Sequence, residues 1–181
     1  MVKRLAMVTV AIVLVGSMAG RAEAGGADTH TREQVAVEKE AIELVAQVEE
    51  VGSDVRYHAE RLAQFAQTQG ISRWTHYHHL EQIKALVNDD LRPALKRLTE
   101  IQAQLPEWKQ ESVDRMLASA RELSADASSA FVTKKENPKM PAELNDEYKK
   151  FVNGMTTHAE ALVKTSDAAH SFAAAHLNVY R

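Results

Sequence analysis

The chain contains no cysteine, and this absence excludes several kinds of site. Without thiols the protein has no disulfide bond, no covalently attached c-type haem, no thiolate metal site and no cysteine-ligated iron–sulfur cluster. Thiol catalysis is excluded for the same reason. Because no disulfide bond can form, burial of apolar side chains must hold this chain together, unlike the small secreted domains that depend on disulfide bonds.

Glycine and proline are also scarce, with 7 and 4 copies among 181 residues. Both residues interrupt helices and strands. The long segments between them are filled with Ala, Glu, Gln, Lys and Leu, which favour helices. No run of β-branched residues alternates with polar ones, as a half-buried strand would require. We therefore predict an all-α protein.

The one long apolar run lies at the N-terminus. Lys3 and Arg4 precede a stretch of 16 uncharged, mostly apolar residues, and Ala22-Glu23-Ala24 is typical of a cleavage site. Spanning a membrane takes roughly 20 apolar residues, so this run is short for an anchor. We predict that residues 1–24 are a signal peptide and that the protein is periplasmic or secreted, without stable membrane insertion after cleavage. An uncleaved anchor is the alternative.

Removal of residues 1–24 would leave 157 residues, the size of one domain, and would move the formal net charge from −3 to −5. An acidic chain is a poor ligand for nucleic acid or anionic membrane. Basic residues cluster only briefly, as in Lys134-Lys135, which we interpret as a solvated helix end. The expected partner is a protein or another envelope component, or a second copy of the chain in a homo-oligomer, and not nucleic acid.

Apolar residues recur every three or four positions over four long segments. The first is predicted to run from Thr31 to Gln69, after a flexible leader over residues 25–30, and to end at Gly70. Its two adjacent apolar rows make the broad stripe that a helix buries in a bundle. These rows comprise Val37, Ala41, Leu44, Val45, Val48, Val51, Gly52, Val55, His58, Ala59, Leu62, Phe65 and Ala66.

Three further helices are predicted. Ser72 can cap the second, and Pro93 predicts a kink near residues 89–91 or a break there. Pro106 and Pro141 suit the first position of the third and fourth helices, and Leu144 begins the apolar stripe of the fourth. The pattern predicts an up-down-up-down four-helix bundle over residues 31–181. Its rhythm persists for several heptads, as in coiled coils.

All 8 histidines lie after residue 24. His76 and His79 are three positions apart and share a helix face. A ligand from the preceding helix could complete a divalent metal site with them. Counting along both helices from the Gly70 turn places Glu60 within a turn of their level and His58 further away. The candidate metal ligands are therefore His76, His79, His58 and Glu60. The alternative is that these histidines pack on aromatic side chains or are solvated.

Motifs for other chemistry are missing. No Glu lies three positions before any histidine, which argues against the di-iron site of ferritin-like bundles. There is no Gly-rich phosphate loop and no Gly-x-Ser-x-Gly elbow. We predict a protein without enzymatic activity, with no cofactor unless the candidate site holds a divalent metal.

Two resemblances add to this interpretation. The position of His176 near the end makes the architecture similar to cytochrome b562-like bundles, which ligate haem with a late His and an early Met. The first Met after residue 24 is Met116, so this resemblance implies architecture only. The motifs of residues 56–62 (Arg-x-His-Ala-x-x-Leu), 74–76 (Trp-x-His) and 105–108 (Leu-Pro-x-Trp) resemble small exported bacterial helical proteins of unknown function. That resemblance implies export and no particular activity.

Single residues give two further expectations. His58 and His158 lie on the edges of apolar stripes, where partial burial would lower the pKa of each below about 6.5. Stability would then fall as the pH drops through that value. Trp74 and Trp108 are expected to pack over the two bundle ends. The sequence thus predicts an exported, non-enzymatic binding or structural module of the cell envelope, with a metal-binding bundle and a pH-responsive protein as alternatives.

Overall fold

The computed structural model describes residues 26–179, and the side chains of residues 33–171. The predicted signal peptide lies outside the described residues, as do the side chains of His30 and His176. Five α-helices lie within the described part: α1 (Gly26–Gln67), α2 (Arg73–Ala85), α3 (Arg92–Ile101), α4 (Glu107–Glu136) and α5 (Asp146–Val179). A π-helical segment, Leu86–Leu91, joins α2 to α3.

The helices form the predicted all-α four-helix bundle. Helices α2 and α3 and the π segment between them make one continuous rod, here called the α2–α3 rod. This rod lies against α1 on one side and α4 on the other, and α5 closes the bundle by packing along both α1 and α4. The α2–α3 rod is antiparallel to α1 and to α4, and α5 is antiparallel to α4, because the turns between them are short. No strand occurs between residues 26 and 179.

The core runs the length of the bundle and matches the predicted stripes. In α1, Val48, Val55 and Leu62 are completely buried, and the small residue Ala59 is completely buried beside them. The opposing helices contribute the large side chains Leu98, Met116, Leu123, Met155 and Leu162. Complete burial of one such aliphatic side chain contributes about 1.5–3 kcal/mol, so these stripes supply most of the driving force for folding.

Two helix starts differ from the prediction. Helix α1 begins at Gly26, so residues 26–30 are helical and not the expected leader. Helix α5 begins at Asp146 instead of Pro141, after a 3-10 turn over Ala142–Leu144. The side chain of Asn145 accepts a hydrogen bond from the backbone N–H of Tyr148 at 2.9 Å and thereby caps α5. Leu144 consequently lies outside the helix and is 70% exposed, not buried as predicted.

Pro93 does not break the α2–α3 rod. The backbone N–H of Arg92 donates to the carbonyl of Val87, five residues earlier, which is the bonding of a π turn. A proline in a regular α-helix clashes with the carbonyl four residues before it. The wider turn ahead of Pro93 accommodates the ring, so the helix continues without interruption into α3. Pro106, predicted at the first position of the next helix, instead occupies the N-cap of α4.

No helix between residues 26 and 179 combines the length and the apolarity that crossing a membrane requires.

Candidate functional site

Four histidines lie at the end of the bundle where α1 meets α2, and we call this region the histidine end: His58, His76, His78 and His79. Its position is fixed by the turn between the helices. Gly70 has a φ of +79°, a conformation that L side chains rarely adopt. The Ser72 hydroxyl then accepts from the Thr75 N–H at 3.1 Å and caps α2. The C-terminal end of α4 and the N-terminal end of α5 meet at the same end.

His58 and His79 contact each other across α1 and α2. Their Nδ1 atoms are 2.8 Å apart, so one imidazole donates the hydrogen bond and the other accepts it. A doubly protonated imidazole has no acceptor nitrogen, so at least one member of the pair is uncharged. The sequence count placed His58 too far away. The difference of three residues in level is about 4.5 Å, which two imidazole side chains span.

His76 faces the core, where its ring also meets the edge of Phe65 from α1 with ring centres 6.3 Å apart. It is 1% exposed, and its Nδ1 lies 3.0 Å from the hydroxyl oxygen of Tyr148, which is itself completely buried. The other ring nitrogen, Nε2, is buried and has no hydrogen-bond partner among the described residues. A buried polar atom without a partner lowers stability, so the placement of this imidazole reduces the free energy of unfolding.

Lys134 completes the buried part of the histidine end. It is only 4% exposed, and its Nζ lies 5.1 Å from the centre of the Tyr148 ring. The prediction of a solvated lysine at the end of α4 is therefore wrong for Lys134. The long side chain lies along the core, and the aromatic face of Tyr148 partly replaces the lost hydration of the ammonium group.

Burial and positive neighbours together favour uncharged imidazoles. Burial, with the Lys134 charge adding to it, lowers the pKa of His76 to about 4, although Glu143 acts in the opposite direction. Burial and His78 lower the pKa of His58 against the effect of Asp54. Burial, the two neighbouring histidines and Arg61 lower the pKa of His79. Burial also lowers the pKa of Lys134 and raises that of Tyr148.

The four candidate metal ligands do not all lie together in the structure. Only His58 and His79 come together, because residues three positions apart on a helix diverge by about 60° and His76 turns to Tyr148. Glu60 is exposed and lies 3.7 Å from Arg56. No group of three or more His, Asp or Glu side chains suited to a metal occurs within residues 33–171.

One other expectation is corrected here. Trp74 does not pack over the bundle end: it is 74% exposed and stacks on His78 with ring centres 5.4 Å apart. His158 lies outside the histidine end, on α5, with its Nε2 3.6 Å from the Asp126 carboxylate. Tyr148 and Lys134 were not predicted as members of the site, because nothing in the spacing of residues along one helix shows which residues of the other helices lie at the same end.

Comparison of the chain with protein families, with curated proteins and with solved structures found no match. The two resemblances described above therefore stay predictions, and the function has to be argued from the residues alone.

Proposed function

We propose that the chain is an exported, non-enzymatic helical-bundle protein of the cell envelope that binds a protein or another envelope component, and that its histidine end makes it responsive to pH. The observation that carries the pH response is the hydrogen bond between His58 Nδ1 and His79 Nδ1. This bond joins α1 to α2 and exists only while one of the two imidazoles is uncharged. Its partners are side chains on two different helices, so its loss removes a contact that joins those helices.

Acid acts on this end in two ways. Protonation of both His58 and His79 points two N–H groups at each other, next to His78 and Arg61, with Asp54 as the opposing carboxylate. Protonation of His76 places a charge near the buried ammonium of Lys134 and against Tyr148, with Glu143 as the opposing carboxylate. Each event replaces an attraction or a neutral contact by repulsion in a poorly solvated region.

The sign of the effect follows from the direction of the pKa shifts. In the unfolded chain a histidine has a pKa of about 6.5, whereas in the fold that of His76 is about 4. The unfolded state therefore binds more protons in mild acid. Stability is complete above pH 6.5 and is lost as the pH falls toward 4. His76 alone accounts for about 3 kcal/mol of this loss.

The pH response is tested by urea unfolding at pH 7.5 and pH 5.0. The wild-type protein should be less stable at pH 5.0. The difference between the two pH values should shrink in His76→Gln and in the double variant His58→Gln, His79→Gln. His158→Gln is the control and should keep most of the difference, because His158 lies outside the histidine end. Equal stability of the wild-type protein at both pH values would refute the pH response.

A measurement on the same purified protein distinguishes the pH response from the metal-binding alternative. Elemental analysis of an untagged sample measures bound metal directly. A near-stoichiometric divalent metal that disappears in His58→Gln would replace the pH response by a metal-binding role. A metal-free sample with acid-dependent stability supports the proposal as stated.

Export rests on the N-terminal sequence pattern and is tested separately. Expression of the full chain in a bacterium, followed by cell fractionation, should place the protein in the periplasm or the medium. Its intact mass should correspond to residues 25–181, and no uncleaved chain should accumulate in the membrane fraction. A full-length protein retained in the cytoplasm would contradict this part of the proposal and leave the pH response untouched.

A further inference from the structure

The core of the bundle ends in a polar layer at the histidine end. His76 precedes Leu80 by one turn in the buried row of α2, and Lys134 follows Ala130 by one turn in the buried row of α4. Tyr148 is the first buried side chain of α5. We call His76, Lys134 and Tyr148 the terminal layer. They are 1%, 4% and 0% exposed, so polar groups replace the aliphatic side chains that fill the core elsewhere.

The terminal layer contains a cation without a carboxylate partner. Within residues 33–171 the Lys134 ammonium forms no ion pair and no hydrogen bond, and it lies over the Tyr148 ring. Lys109 is the other buried lysine in this range, and the carboxylate of Glu38 lies 3.5 Å from its Nζ. A charge that leaves water loses its hydration and normally gains a partner of opposite sign. Lys134 lacks that counter-charge.

The terminal layer also contains a nitrogen that forms no hydrogen bond. His76 Nε2 is enclosed and has no partner among the described residues. Burial raises the pKa of Tyr148, so its hydroxyl keeps its proton and can donate it to His76 Nδ1, 3.0 Å away. The uncharged imidazole then carries its proton on Nε2. Nε2 and the Lys134 ammonium are then two N–H donors beside one tyrosine, and both require an acceptor.

The surrounding charges do not supply this acceptor. Glu143 acts on both His76 and Lys134, but it forms an ion pair with neither in the part of the chain that the structure describes. Arg73 adds a second positive charge near Lys134, and its guanidinium contacts the Tyr77 hydroxyl at 3.0 Å. The terminal layer is therefore locally positive, although the whole chain has a net charge of −3.

We propose that the terminal layer binds one small monovalent anion, with chloride as the simplest example, through the Lys134 ammonium and the Nε2–H of His76. Charge-assisted hydrogen bonds to an anion are stronger than those between neutral groups. The bound ion neutralises the buried ammonium and gives Nε2 its partner. A monatomic ion is favoured over phosphate or a carboxylate ligand, because the terminal layer is almost completely enclosed. This inference goes beyond the proposed function, because it requires an uncharged His76 at neutral pH and no response to acid.

The test is NMR of the His76 ring in the purified protein at pH 7.5, with potassium gluconate replaced stepwise by potassium chloride at constant ionic strength. Gluconate is too large to enter the terminal layer. We expect a saturable shift of the His76 ring resonances, which gives a dissociation constant. At ten times that chloride concentration, the folding equilibrium constant measured by urea unfolding should be about tenfold larger than in gluconate. Bromide should act as chloride does, and sulfate, which is larger, should bind at least about tenfold more weakly.

Lys134→Met removes the charge and keeps the approximate length of the side chain. It should abolish the chloride dependence of the His76 shift and of the urea midpoint. Lys135→Met, at the exposed neighbouring lysine, is the matched control and should keep both. In crystals of the wild-type protein grown with bromide, an anomalous peak should lie within hydrogen-bonding distance of Lys134 Nζ and His76 Nε2. This last measurement does not depend on the folding of any variant.

Each opposite result overturns the proposal. The His76 resonances would then not respond to chloride, or they would respond equally in Lys134→Met and in the wild-type protein. Bromide density elsewhere on the protein, without a peak in the terminal layer, would show adventitious ions only. Electron density for a water on Nε2 that halides do not displace would show that the layer is hydrated and holds no anion. The acid-dependent loss of stability, measured in gluconate alone, tests the proposed function separately.

Discussion

The His76 imidazole is kept uncharged mainly by burial and by the nearby Lys134 charge, which outweigh Glu143 and lower its pKa. Tyr148 contacts its Nδ1, the Lys134 ammonium lies nearby on α4, and Nε2 is enclosed without a partner among the described residues. The histidine therefore acts in the fold as an uncharged polar residue. Burial is the first cause of its lowered pKa, and the lysine is the second. The tyrosine hydroxyl contributes a hydrogen bond, so its effect can be separated from that of burial.

Tyr148→Phe removes this hydroxyl and leaves the ring. We expect the free energy of unfolding at pH 7.5 to fall by about 1–3 kcal/mol, because a buried imidazole nitrogen loses its partner. The pKa of His76 should remain well below 6.5, since burial persists. Urea unfolding and an NMR titration of the His76 ring measure the two effects. Tyr57→Phe is the control: Tyr57 is 52% exposed, and its stability should change by less than about 0.5 kcal/mol. An ordinary His76 pKa in Tyr148→Phe would contradict the role of burial.

Sequence spacing could predict which histidines share a face, but not which neighbour each one meets. His76 and His79 share a helix face in the sequence, but their 60° divergence directs His76 to Tyr148 and His79 to His58. The neighbours of each histidine can be identified only when the lateral order of the helices is known, because Tyr148 belongs to α5 and Lys134 to α4. In the sequence Tyr148 is one of many apolar or aromatic residues along α5. Only the packing of both helices at the same end reveals it as the partner of His76.

Among the elements, the α2–α3 rod combines a regular helix with a π turn at its proline. Pro93 is exposed and follows the turn that already lacks a regular bonding pattern. Ala85 is also exposed and ends the regular part of α2. Introducing a proline at position 85 and removing the proline at position 93 therefore distinguish the cost of proline in a regular helix from its cost after a π turn.

Ala85→Pro should lower the free energy of unfolding by about 3 kcal/mol, because it removes a helical hydrogen bond and introduces a clash. Pro93→Ala should change it by less than about 1 kcal/mol, because the π turn already accommodates the ring. Urea unfolding followed by circular dichroism measures both. Equal and large effects of the two substitutions would show that the π turn does not relieve the proline.

The apolar rhythm was sufficient to predict four amphipathic segments, since each buried stripe repeats over many turns. Helix ends were predicted less well, because they depend on single caps. Pro141 has the properties of a first helical residue, but the side chain of Asn145 satisfies the N–H of Tyr148 and sets the start of α5. Hydrophobic periodicity carries no information about which of two nearby capping signals prevails.

The whole molecule has two chemically different ends. At the histidine end, contacts between helices require uncharged imidazoles. Toward the other end, α1 is joined to α3 by two hydrogen bonds of 2.6 and 3.1 Å between Arg97 and Glu40, and to α4 by Lys109 and Glu38, 3.5 Å apart. Arg97 holds the pKa of Glu40 below its ordinary value. That carboxylate therefore stays charged in mild acid, and its contribution is lost only below that ordinary range.

This asymmetry predicts where the bundle opens first when the pH falls. Hydrogen exchange measured by mass spectrometry at pH 7.0 and 5.0, corrected for the intrinsic pH dependence of exchange, should show a loss of protection over residues 58–80 and 134–150. Protection over residues 38–48 and 95–116 should fall at least about tenfold less, because their ion pairs persist. In the double variant His58→Gln, His79→Gln the acid-dependent loss should become smaller at the histidine end alone. An equal loss along the whole bundle would mean that acid acts on global stability and that the histidine end does not open by itself.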